Sequence, residues 1–144
     1  MNRAAALTAL GKFTSLASTV GVAMLDNASG LGPPIDRALR ALGFNESELA
    51  TANPDAEFTA AYLVLLDYYT LDLFSLAAIS FADIQVGGGQ GYAKKRSQIF
   101  DHLLKLKAEA REAVEALGYT VGGSDFVLGE IDSSYIEPLD ALDL

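Results

Sequence analysis

The stretch FTAAYLVLLDYYTLDLFSLAAISFA, residues 58–82, decides the fold. It holds no Gly, no Pro and no basic residue, and its only charges are Asp67 and Asp72. As a helix it would run about 37 Å, at roughly 1.5 Å rise per residue. It is apolar almost all the way round, so other parts of the chain or other subunits must cover most of its faces. A membrane span is the competing reading of such a segment. Two central aspartates argue against it, since each would cost about 2.5–3.5 kcal/mol on insertion, and the flank Asp83-Ile84-Gln85 carries no basic residue. A buried core or interface helix is the expectation, with no membrane.

The rest of the chain supplies elements to pack on this post. Residues 3–24 read as a helix with Leu7, Leu10, Phe13, Leu16, Ala17 and Val20 on one face. Gly11 and the run Ser18-Thr19-Val20-Gly21 are where it should bend or end. Residues 26–34 read as a loop. A short helix follows over about 34–42, with Pro34 in its first turn and Gly43-Phe44 as a left-handed ending whose aromatic packs back. Asn45-Glu46-Ser47-Glu48 has capping-box spacing, which predicts one more turn. Asn53-Pro54-Asp55 predicts the start of the long helix.

That helix must stop before Gly87-Gly88-Gly89-Gln90-Gly91, with residues 83–86 as a short extended piece. A second long helix is predicted over 93–117. Ile99, Leu103, Leu106, Ala110, Ala113, Val114 and Leu117 form its apolar stripe, and Gly118-Tyr119 repeats the earlier ending. The expectation is an all-α fold: a small helical bundle with two long helices (about 54–83 and 93–117) and shorter N-terminal helices, residues 1–119. Residues 120–144 would be an extended arm. That arm has six acidic residues, no basic one, and large apolar residues throughout. It is too apolar for a solvated linker, and its glycines and Pro138 deny it a long helix.

Composition narrows the functions. The formal net charge is −9, which argues against sequence-blind nucleic-acid binding. The absence of Cys removes disulfides and thiolate chemistry and fits an intracellular setting. Lys12 interrupts any signal-like apolar core, so no secretory leader is expected. His102 is the only histidine and makes no metal-ligand cluster in sequence, so neither a metal nor a cofactor is expected. GxSxG is absent, and the glycines at 87–91 are not followed by the Lys-Ser/Thr of a phosphate loop at the right spacing. Asp67 and Asp72 fall about 140° apart on a helix and would not pair directly. They are expected to be bonded to Tyr68, Tyr69, Arg37 or Arg40. Lys94, Lys95 and Arg96 form the one basic cluster, where a helix start disfavours cations. The acidic arm (Asp125, Glu130, Asp132, Glu137) is a candidate partner from the same or a neighbouring subunit, and a contact between subunits is the expectation.

One block carries a resemblance: Tyr68-Tyr69-Thr70-Leu71, Asp83-Ile84-Gln85-Val86-Gly87-Gly88, Lys94-Lys95-Arg96-Ser97-Gln98-Ile99-Phe100 and Ala116-Leu117-Gly118-Tyr119. Together with Tyr135-Ile136-Glu137-Pro138-Leu139 it resembles the helical head–tail connector, or adaptor, proteins of tailed bacteriophages. In these a long apolar helix ends in a "D-V-x-V-G"-like segment, and a basic turn opens a second long helix. The resemblance covers roughly residues 58–119, and the N-terminal third departs from it. It implies a non-enzymatic virion protein of the neck, assembled in the host cytoplasm as a homo-oligomeric ring, twelve copies in the family's pattern. The ring would dock on the portal protein, offer a platform to a tail-side protein, and let double-stranded DNA pass without specific binding. The implied partner-interface residues are Val86, Gly87, Gly88, Lys94, Lys95, Arg96, Phe126, Tyr135, Ile136, Pro138, Leu139, Leu142 and Leu144. Two other readings stand beside it: a different helical partner-binding module, such as a tail-completion or regulatory subunit, and a small enzyme using Asp67, Asp72 and His102.

Overall fold

A computed structural model describes residues 1–84 and 90–120, with side chains described over 1–79 and 98–120. These residues form a small all-α bundle with no strand among them. The five α-helices are α1 (Arg3–Ala9), α2 (Thr14–Val20), α3 (Gly32–Ala41), α4 (Thr59–Ile84) and α5 (Gln90–Ala116).

The first predicted helix is two. A 3-10 turn over Leu10–Phe13 separates α1 from α2, and the Thr14 hydroxyl donates to the Gly11 carbonyl at 2.6 Å. Gly21, with φ 79°, ends α2. The loop after it both starts and ends earlier than predicted, because α2 stops at Val20 and α3 begins at Gly32, taking both prolines into its first turn. Gly30 and Gly32 make that tight loop possible. A Cβ at Gly30 would sit 2.5 Å from the Leu25 carbonyl oxygen, and one at Gly32 would sit 2.6 Å from that of Asn27.

Helix α3 ends as the sequence predicts. The Phe44 amide reaches back to the Leu39 carbonyl and the Gly43 amide to that of Arg40, the paired bonds of a Schellman motif. Tyr119 and Gly118 make the same two bonds to Val114 and Glu115 after α5. Glu48 accepts from the Asn45 amide at 3.0 Å, and the predicted extra turn is a 3-10 helix over Glu46–Thr51.

The start of the long helix differs from the prediction. Asp55, the cap of a 3-10 turn over Ala56–Phe58, makes no side-chain capping bond, and α-helix proper begins at Thr59. Proline biases the residue before it away from the helical region. Pro54 is also buried, and its carbonyl accepts from the Met1 ammonium at 2.8 Å, so it belongs to a tertiary contact. At the other end, Asp83 and Ile84 are helical, not extended, and Gln90 and Gly91 already belong to α5.

Helix α4 is the central post, touched by α1, α2, α3 and most extensively by α5. Five residues join α4 to α5, a link of roughly 22 Å at most at ~3.6 Å per Cα step. A parallel return along a 26-residue helix would need about 39 Å, so α5 runs antiparallel to α4. Tyr62, Leu65, Leu66, Tyr68, Leu71 and Phe74 of α4 are buried, facing Leu10, Ile35, Leu39, Leu103 and Val114 in one core. Phe13 meets Phe74 edge-on with centroids 6.2 Å apart. Residues 56–79 are long and apolar enough to cross a membrane, yet 61% of that apolar window is buried within the bundle. That burial is what a core post requires.

Candidate functional site

Asp72 is the charged centre of the bundle. Its side chain is 3% exposed, and each oxygen has its own cation: Arg37 Nη1 donates to Oδ2 at 2.8 Å and Lys107 Nζ to Oδ1 at 2.7 Å. One carboxylate thus joins α3, α4 and α5. The tyrosines preceding it flank the pair. The Arg37 guanidinium lies 4.3 Å from the Tyr69 ring centroid, and the Lys107 ammonium 5.7 Å from that of Tyr68. Arg37 was among the expected partners. Lys107 was not, because its role depends on the antiparallel register of α5.

Asp67 lies on a different side of α4 and accepts from Lys12 at 2.7 Å. Partial burial pushes its carboxyl up, opposed by that lysine. His102 and Asp101 are exposed on α5. The three residues of the enzyme reading therefore occupy three environments: a closed ion triad, a peripheral pair and a solvent-facing helix surface. Among the described residues, no group of three His, Asp or Glu side chains is placed to hold a metal.

A second knot escaped the sequence reading. Arg3 makes a two-point contact with Asp26 (2.8 and 2.7 Å), donates to Asp36 at 2.7 Å, and reaches the Leu49 carbonyl at 3.1 Å. It ties α1 to the 22–31 loop, to α3 and to the 3-10 helix over Glu46–Thr51. Its hydrogen bonds hold the Asp26 carboxyl below the usual range. Arg3, Asp26, Asp36, Arg37 and Arg40 border a cleft of about 510 Å³. Each of these arginines has an acidic partner, Arg40 pairing with Glu46. The cleft is charged but internally compensated. A second cleft of about 370 Å³ lies beside Phe44, Glu48, Asp55 and Phe58.

Among the described residues, Leu25, Phe58 and Leu117 are exposed singly, and a further group of exposed large apolar side chains lies on the two long helices. Leu76 and Ile79 on α4 are 40% and 48% exposed, and Leu104 on α5 is 44% exposed. They lie in the half of the helix pair that leads to the α4–α5 connection. Of the predicted partner-interface residues, Lys94, Lys95 and Arg96 fall in the first two turns of α5, where only the backbone is described. Val86, Gly87, Gly88, Phe126, Tyr135, Ile136, Pro138, Leu139, Leu142 and Leu144 lie outside the described residues, as does the arm from residue 121 onward. No family model, curated protein or solved structure matches the chain.

Proposed function

We propose that this chain is a head–tail connector of a tailed bacteriophage. In this reading it docks as a homo-oligomeric ring on the portal, presents a platform to the tail, and leaves a channel through which DNA passes. The observation that carries the reading is the position of the exposed apolar side chains. Leu76 and Ile79 sit on the long core helix immediately before the Asp83–Gly88 and Lys94–Phe100 blocks that resemble the connector pattern. Large apolar side chains left open one turn apart on a long core helix are what a ring subunit would use against its neighbours. The net charge of −9 suits a channel wall that must not hold DNA. The closed arrangement around Asp72 supports a structural role for that carboxylate.

The test is co-assembly. Purified protein mixed with the portal protein of the same phage should co-elute as a large complex, and Leu76→Glu with Ile79→Glu should reduce that association while leaving the helical circular dichroism signal intact. A chain that stays monomeric and never joins portal would overturn the reading in favour of another partner-binding module.

A further inference from the structure

We propose that two copies of this chain pair head to tail. One copy seats Leu104 against Phe44 and Phe58 of the next and brings Lys105 to Glu48 and Asp55, with Leu76 and Ile79 covered in the same contact. A ring of equivalent subunits needs two different, complementary patches on each subunit, because a patch that pairs with itself closes a dimer and stops. The exposed apolar group on α4 and α5 is one such patch. The cleft of about 370 Å³ beside the start of α4 has the chemistry of the other. Phe44 and Phe58 border it, Phe58 39% exposed, and Glu48 and Asp55 supply carboxylates beside them.

Charge selects the pairing. Residues 46–58 hold four acidic side chains and no basic one. Glu46 is taken by Arg40, whereas Glu48, Asp55 and Glu57 have no ion-pair partner among the described residues. Asp55 stands at a helix cap without bonding its carboxylate there. Lys105 is exposed, and among the residues with described side chains it is the one lysine or arginine without an acidic partner. Along α5 the turns before Lys107 hold Lys94, Lys95, Arg96 and Lys105 against Asp101, and the turns after it hold Glu109, Glu112 and Glu115 against Arg111. Helix α5 is thus basic toward the α4–α5 connection and acidic toward the start of α4. Pairing the Leu76/Ile79/Leu104 face with itself sets basic turns against basic turns, whereas head-to-tail pairing sets basic against acidic. The two patches cannot satisfy each other within one chain. The Asp72–Lys107 contact fixes the level of α5 on α4, so Leu104 stands about level with Ser75 and Leu76. Phe58 lies about 25 Å further down the bundle, at ~1.5 Å per helical residue, beyond the reach of Lys105. A second copy brings them together.

The absence of Cys makes the test direct. Two single-cysteine variants of the full-length chain are used: Asp101→Cys, one turn from Leu104 and Lys105, and Asn53→Cys, on the exposed rim of the cleft. They are mixed at high protein concentration, treated with a short thiol crosslinker, and the products are sized and mapped. The expected result is a 101–53 crosslink between chains on the order of tenfold faster than 101–101 or 53–53, as a high effective concentration dictates. Asp55→Lys in the Asn53→Cys chain should remove most of that preference. Adding Lys105→Glu to the Asp101→Cys chain should then restore it, a rescue that a misfolded variant does not give. Equal rates for the three products, a dominant 101–101 product, no crosslinking between chains, or no rescue would overturn the pairing. Closure into a ring rests on the connector reading, but the pairing does not, and portal is absent from the assay. Failed pairing beside successful co-assembly would leave the connector reading standing with a different contact between neighbours.

Discussion

Replacing Asp72 with Asn should be among the most damaging near-isosteric changes in the protein. Asp72 is 3% exposed and holds two cations, Lys107 at 13% and Arg37 at 31% side-chain exposure. Asn keeps the shape and removes the charge, so two cations from different helices are left facing each other with only amide dipoles between them. Removing one member of a buried ion pair costs about 3–5 kcal/mol. Arg37 is exposed enough to turn toward water, which brings the expectation to the lower end, about 3 kcal/mol. For a domain stable by about 5–15 kcal/mol, that is a large fraction. Urea denaturation followed by circular dichroism should show a lower midpoint at unchanged slope. Lys107→Met alone should also destabilise, because Asp72 keeps a single cation. The combination Asp72→Leu, Arg37→Met and Lys107→Met should recover most or all of the loss, since an apolar replacement of a buried ion group is often neutral or stabilising by about 1–4 kcal/mol. A loss below about 1 kcal/mol for Asp72→Asn, or a triple variant worse than the single one, would refute the assignment of this triad as the electrostatic tie of three helices.

Further outcomes follow from named residues. The Tyr62 hydroxyl is fully buried without a hydrogen-bond partner, so Tyr62→Phe should be neutral or stabilising at pH 7 by denaturant titration. Burial pushes the Tyr62 phenol up to about 12. Its contribution to stability is full below the unfolded value near 10 and is lost as pH rises through about 12. The stability of Tyr62→Phe relative to the parent should therefore grow by about 2–3 kcal/mol across that window, and a flat difference would contradict the burial. Leu66→Ala should cost about 2–5 kcal/mol because Leu66 is fully buried, whereas Leu76→Ser should stay within about 0.5 kcal/mol; equal effects would deny the distinction between core and open face. Gly30→Ala should lower the melting temperature, because its Cβ meets two backbone carbonyls at 2.5 and 2.7 Å. Gly11→Ala, with open space around it, should raise stability by about 0.5–1 kcal/mol.

The parts of this fold that were legible in the sequence are those whose causes are local. The central post announced itself by 25 consecutive residues without a breaker, and its partner by an apolar stripe of helical period. Gly43-Phe44 and Gly118-Tyr119 end helices as written because a Schellman motif needs only the few residues that compose it. The pairing of Asp72 with Arg37 was legible as chemistry, since a carboxylate in so apolar a helix needs a cation. Its second partner, Lys107, was hidden because α5 had first to be laid antiparallel on α4. Arg3 was hidden for the same reason: Asp26, Asp36 and the Leu49 carbonyl lie 23, 33 and 46 residues away. The start of α4 moved because Pro54 is buried and bonded to the Met1 ammonium, a contact that no capping pattern encodes. The break between α1 and α2 came at Gly11, a residue already marked as the weak point. The partner-interface residues at 86–88 and 126–144 rest on the sequence alone.

The central claim is that this helical bundle is a subunit of a ring seated on a portal. Electron microscopy of the purified protein mixed with portal tests it most directly. The account predicts a ring of density coaxial with the portal, open at the centre to the width of duplex DNA, with the α4–α5 pair of each copy in contact with its neighbour through Leu76 and Ile79. Portal particles bare of added density, beside a chain that remains monomeric at all concentrations, would contradict it.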